Sequence, residues 1–201
     1  MSATSLGRAL SYWIWTRVPR GISRSLRRLK QRVPPFRPVD TAGCGKRFLY
    51  VYDVDRNHGT ETCAPQVEFR ELAPEKAEEY ERGIAEDAGP TTRRAPDGEA
   101  CMVGFLNGRA VYRARYRRTQ AERMRDLPPE WRPRGPLLFL HDGFTDPAYR
   151  GRGIHTAAIY WMLDRARGSG VAHAVCVVRD SDIAARRAVE RVGFQRLGAV
   201  E

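Results

Sequence analysis

Between the residues Phe144-Thr145-Asp146-Pro147-Ala148-Tyr149 and Ile154-His155 stands Arg150-Gly151-Arg152-Gly153, where a strand-like apolar run passes into a helix-like one. Glycines at such a junction let backbone N–H groups close on an anion, and a helix N-terminus adds partial positive charge. A diphosphate fits a nest of this kind. Two other phosphate loops are excluded by their letters. A P-loop needs Gly-x-x-x-x-Gly-Lys-Ser/Thr, whereas Gly45-Lys46 is followed by Arg47 and preceded at the required place by Asp40. A dinucleotide fingerprint needs a third glycine where Thr156 stands, and a second βαβ half for which the 201 residues leave no room.

The elements that must hold this turn are legible around it. Residues 136–140 begin a buried strand running toward Phe144, 154–167 form a helix closed by Gly168 and Gly170, and 171–178 form an apolar strand. A helix over 182–191 ends at Gly193, and 194–200 form a short last strand. Upstream, 48–52 reads as a strand by its aromatic and β-branched content, as does 67–70, and 74–80 opens a helix with proline and acids in its first turn. Residues 101–106 and 110–113 flank Asn107-Gly108, which supplies the two positive φ values of a tight hairpin turn. Residues 113–135, rich in arginine and with prolines at 128, 129 and 133, read as a long connection. The order is α+β with one βαβ unit late in the chain.

Composition bounds the rest. With 42% apolar and 29% charged residues the balance is that of a globular domain, and no apolar run approaches the roughly 18 to 20 residues of a membrane-spanning helix. Cys44, Cys63, Cys101 and Cys176 are scattered without a Cys-x-x-Cys pair, so neither a zinc site nor a disulfide framework is indicated, and reduced thiols in a cytoplasmic protein are expected. The net charge of +11 is uneven: residues 1–46 hold 10 Lys/Arg against the single acid Asp40. The expected organisation is a basic amphipathic arm over 1–46 and a nearly neutral domain over 47–201.

Arg150-Gly151-Arg152-Gly153-Ile154-His155 resembles the signature of the GNAT acyltransferase superfamily, Gln/Arg-x-x-Gly-x-Gly/Ala, with His155 at the place of a very small residue. Residues 182–194 resemble that family's second cofactor segment, Asn-x-x-Ser/Ala leading to Glu-Lys-x-Gly-Phe, with Asp182 for the Asn and Arg191 for the Lys. The likeness covers roughly residues 47–201. It implies a GNAT fold: a central mixed, mostly antiparallel sheet flanked by helices. It also implies acetyl-CoA, or another acyl-CoA, as co-substrate, held by Phe144, Thr145, Arg150, Gly151, Arg152, Gly153, Ile154, His155, Asp182 and Arg186, with no metal. The reaction implied is direct attack of an acceptor's amine on the thioester. An amine is protonated at neutral pH, so a base or a water chain must take its proton; for the base Asp142 is the first candidate and His141 the second, with Glu68 and Glu99 as outsiders. Gly143 inside the strand fits a bulge that would expose backbone donors to the thioester carbonyl. The family's second-segment helix often carries a tyrosine that protonates the departing thiolate, and Val189 stands there in this chain.

The acceptor is less legible. Arg113, Arg115, Arg117, Arg118, Arg123, Arg125, Arg132 and Arg134 read either as a solvated face or as arginine forks for a small, anionic amine acceptor. No RNA-binding sheet motif or helix-turn-helix pattern accompanies them, so nucleic acid is not indicated. An alternative reading keeps the fold and drops catalysis: a CoA-binding regulatory or scaffold module recruited by the arm. Trp13, Trp15 and an apolar stripe over residues 1–33 suit an anionic membrane surface, a protein partner, the arm's own domain or an organellar targeting segment. Because GNAT domains usually continue into a further strand, one sheet edge is expected to be covered by the strand near 48–52, a partner, or a second copy in a homodimer.

Overall fold

The computed structural model describes residues 46–55, 64, 66–84, 99–120 and 135–200. The arm over 1–45, and with it Trp13, Trp15 and the stripe, lies outside the described residues, as do Arg123, Arg125, Arg132 and Arg134. The elements in chain order are β1 (Arg47–Asp53), β2 (Glu68–Leu72), α1 (Pro74–Ile84), β3 (Glu99–Leu106), β4 (Arg109–Gln120), β5 (Pro136–Thr145), α2 (Ile154–Ala166), β6 (His173–Arg179), α3 (Ile183–Val192) and β7 (Gln195–Val200). They form one seven-stranded sheet in the order β2-β3-β4-β5-β6-β1-β7, antiparallel except where β5 meets β6. The fold is α+β, with the parallel pair joined through α2.

Alternation along the strands sorts the two faces. Tyr112, Ala114, Tyr116, Leu138 and Leu140 join the main core with Ile154, Ile159, Met162 and Leu163 of α2 and Val189 and Val192 of α3. On the opposite face Cys101, Val103 and Phe105 meet Ala77 of α1, and Tyr80 stands edge-on to Phe105 at 5.1 Å. At the hairpin Asn107 and Gly108 take positive φ values of 51° and 78°.

β4 corrects the expectation that residues 113–135 are all connection, because the strand runs on to Gln120. Arginines at every second place face one way while Tyr112, Ala114 and Tyr116 face the other, a period of two that overall polarity masks. Nor are all of these arginines a solvated face: Arg113 is 6% and Arg115 2% exposed.

The expectation that the strand near 48–52 covers an open edge is corrected: β1 lies inside the sheet, pairing with β6 on one side and β7 on the other, and among the described residues the edge strands are β2 and β7. Lys46 extends that seam, its carbonyl accepting from the Asp180 amide at 2.7 Å. Phe48 through Val54 are all buried or nearly so, which fits a central strand and not an added edge. Replacing Leu49, which is fully buried, by alanine is expected to lower stability by about 2–5 kcal/mol; urea unfolding of the two proteins measures it.

Candidate functional site between two parting strands

β5 and β6 pair in register from Leu137 opposite His173 to Leu140 opposite Cys176, and there the pairing stops. β5 continues to Thr145 and β6 to Arg179. The cause lies on the other side of β5, where Arg113 opposes Phe144 and Arg115 opposes His141, so that β5 carries one residue more than β4 over this stretch. This is the bulge that Gly143 suggested. Asp142 takes a φ of 52° in it, a left-handed conformation that aspartate tolerates better than most residues. Because of the extra residue, His141 and Phe144 share a face although they are three apart. The strands part around a cleft of about 230 Å³, lined among others by Tyr112, His141, Asp142, His155, Asp182 and Val189.

The glycine turn sits at one end of this cleft. Asp146, 8% exposed, accepts from the Ala148 amide at 2.9 Å and so nucleates the short 3-10 turn Pro147–Tyr149. Gly151 and Gly153 then take φ values of 76° and 74°. Gly153 caps α2 without a side-chain bond, and no acid stands in the first turn. The first amides of α2 therefore face outward with helix-end polarity and no side-chain acceptor. Ile154 and Thr156 are buried and fix the turn to the core. Arg150 donates from Nε to the Thr145 carbonyl at 3.2 Å, with its guanidinium 5.4 Å from the Phe144 ring, and Arg152 stands 5.2 Å over Tyr149.

His155 does not reach out of this turn. It turns inward, where its Nδ1 lies 2.8 Å from the Tyr112 hydroxyl. The residue keeps some exposure, but its ring is enclosed, and burial pushes its pKa down to about 4. Burial also raises that of Tyr112, so the hydroxyl donates and the neutral imidazole accepts at Nδ1, leaving its proton on Nε2. A Cβ on Gly143 would come within 2.8 Å of His155 Cε1 and 3.0 Å of the Tyr112 oxygen. Gly143 is therefore required by the pair beneath it as well as by the bulge.

The two candidate bases come together on the other face. His141 Nδ1 stands 3.3 Å from Asp142 Oδ2, and His141 Nε2 stands 2.8 Å from Glu99 Oε1, close in distance though off the line of a hydrogen bond. Glu99 is buried, 3.4 Å from Arg115 Nη1. The hydrogen bond from His141, then the charges of His141, Arg115 and Arg113, hold the Asp142 carboxyl below its ordinary range against the opposing effect of burial. Asp182 caps α3 by accepting from the Ala185 amide at 2.9 Å at the cleft rim. Arg186 points away from the cleft, its Nη1 held by Asp180 Oδ1 at 2.7 Å and its guanidinium 5.2 Å over Phe48. Glu68 stands apart, exposed and paired with Arg70. Tyr112 escaped the sequence reading, although alternation puts it on the other face of β4 from Arg113.

Residues 60–194 match the family model for the acetyltransferase (GNAT) family. The chain belongs to this family. No curated protein sequence matches it. Among solved structures it is similar to an aminoglycoside N-acetyltransferase, AAC(6')-Iy, in complex with CoA, at 16% identity and a TM-score of 0.51, covering 64% of this chain and 88% of that one. It is also similar to a functionally unknown conserved protein from Staphylococcus epidermidis (11%, TM-score 0.56, 78% and 59%) and a GCN5-related N-acetyltransferase from Kribbella flavida (17%, TM-score 0.50, 77% and 56%). The chain thus spans less than two thirds of the last two. At these identities the likeness is one of fold, and it places this sheet among GNAT sheets.

The enclosed His155 makes a prediction about stability in this GNAT domain. Its folded pKa lies below the ordinary 6.5, so between those values the unfolded chain binds a proton that the folded one refuses. Stability is then retained above pH 6.5 and lost as the pH falls toward 4, by on the order of 3 kcal/mol. Urea unfolding at pH 7 and pH 4.5 is expected to show this loss in the wild type and a smaller one in His155→Gln. Separately, Tyr112→Phe leaves Nδ1 without its donor and is expected to lower stability by about 1–3 kcal/mol at pH 7.

Proposed function

We propose that the protein is an N-acyltransferase that moves an acetyl group from acetyl-CoA to the amine of a small acceptor. The observation that carries this reading is the parting of β5 from β6 at a bulge, directly beside an uncapped helix N-terminus entered through two left-handed glycines. The residues present fit an acyl-CoA: the first amides of α2 would take its diphosphate, and the cleft between β5 and β6 would take its pantetheine arm. Bound there, acetyl-CoA supplies the acyl group as a thioester. The bulge frees backbone N–H groups near Gly143 and Phe144 to stabilise negative charge on an acyl oxygen.

Asp142 faces the cleft with a half-exposed carboxylate and anchors the acceptor's ammonium. His141 stands against it, Nδ1 3.3 Å from Asp142 Oδ2, so the two act as one unit in removing the amine's proton. Cys176 also lines the cleft, but burial pushes its thiol up to about 12, which leaves it an inert wall and agrees with direct attack by the amine.

A second reading has one observation in its favour. Val189, buried in the cleft wall, has no proton for a departing thiolate, as suits a CoA-binding module without catalysis. Release of free CoA thiol in the presence of a panel of amines separates the two. We expect turnover that falls by about 10²–10⁴ in His141→Asn, with CoA affinity kept; CoA binding without turnover of any amine would favour the module. Gly153→Val forces a branched side chain into a φ of 74° and is expected to weaken CoA binding at least about tenfold, a loss near 1.4 kcal/mol or more by calorimetry. Unchanged affinity would remove the diphosphate from this turn.

A further inference from the structure

Arg113 is 6% exposed, and its Nε and Nη1 are buried without a hydrogen-bond partner. The neighbouring Arg115 has Glu99, and Arg150 has the Thr145 carbonyl. Among the described residues the Arg113 guanidinium meets the Phe144 ring, 5.5 Å from its carbon, and no acceptor answers its Nε or Nη1. A ring face attracts the cation but leaves its in-plane N–H donors unanswered. Burying a guanidinium in this state is unfavourable, and a fork of N–H donors is matched by the two oxygens of a carboxylate or phosphate.

Its place says what would bring that anion. Arg113 lies opposite Phe144 across the bulge, on the face that also holds His141, and its charge is felt at Asp142. An amine held at Asp142 has its near substituents within the surroundings of Arg113. Phe144 is flanked by a second guanidinium, that of Arg150 at 5.4 Å. Two cations on one ring add to the positive field at this spot.

We propose that the acceptor carries an oxyanion, a carboxylate or a phosphate, close to its reacting amine, and that the buried fork of Arg113 binds it. The inference rests on the acyl-transfer reading above for its amine, but its test does not. The full chain is saturated with CoA, which keeps small anions off the glycine turn. Inorganic phosphate and, separately, acetate are then titrated while the ¹⁵N resonance of the Arg113 Nε–H, assigned by its loss in Arg113→Met, is followed. A saturable shift with either probe is expected, and the tighter probe names the group. In Arg113→Lys, which keeps the charge and loses the fork, saturation followed on neighbouring amides is expected to need at least fivefold more of the probe. The absence of a saturable shift with both probes, or equal binding in Arg113→Lys, would overturn the proposal even with CoA firmly bound. Failure of CoA itself to bind, read by calorimetry on the same samples, would instead sink the acyl-transfer reading and leave the anion result standing as evidence on Arg113 alone.

Discussion

Leu140 and Cys176 form the last rung between β5 and β6, and the shape of the site depends on the ladder ending there. Parallel strands normally stay paired because each unpaired backbone group away from water is unfavourable. Here the pairing is given up for a reason that lies one strand away. The bulge against β4 turns β5 through the left-handed Asp142, and its direction no longer matches that of β6. The freed backbone of β5 faces the cleft, where a bound molecule can satisfy it. The cleft opens at the end of the sheet to which α2 presents its uncapped N-terminus. One backbone irregularity therefore sets the opening, its polarity and the place of His141 and Asp142.

Charge on the α1 face is arranged around the same irregularity. Glu99 and Arg115, each with a side chain only 3% exposed, are close in charge balance, and His141 leans on that pair from β5. Buried pairs of this kind contribute little net stability compared with apolar residues of similar size, yet removing one partner is strongly destabilising. Their presence next to the bulge is better explained by what they hold than by what they stabilise: the His141 ring stands with Nδ1 3.3 Å from Asp142 and Nε2 2.8 Å from Glu99. On the α2 face the corresponding device is neutral. Tyr112 and His155 share one hydrogen bond under Gly143, so the floor of the cleft is rigid and uncharged while its rim is charged.

How much of this could be read from the letters differs by element. The glycine turn, the hairpin at Asn107-Gly108 and the helix capped by Asp182 follow from local rules, because φ preferences and capping depend on residues a few places apart. Gly143 pointed to the bulge for the same reason. The true length of β4 was hidden because arginine at alternate places looks polar in any window, and only its partners on β3 and β5 show that Arg113 and Arg115 are buried. His155 illustrates a further limit. At the last place of the signature it was expected to help hold the acyl-CoA, but the hydroxyl that turns it inward belongs to Tyr112, 43 residues away, and no spacing rule links the two.

β1 shows how a distant segment can complete the site without touching it. β6 forms one wall of the cleft, and on the cleft side it lacks a partner beyond Cys176, so its course there must be held from its other edge. β1 does this along its whole length, pairing from Arg47 opposite Arg179 to Asp53 opposite His173. The pairing reaches Arg179 at the cleft rim, and the Lys46 carbonyl takes the Asp180 amide just beyond. Tyr50 of β1 then donates to Glu190 of α3 at 2.9 Å, which ties the helix carrying Val189 to the same strand. A strand supplied from before the rest of the sheet thus holds the free wall of the cleft, and it does so at the point where the chain emerges from residues 1–45.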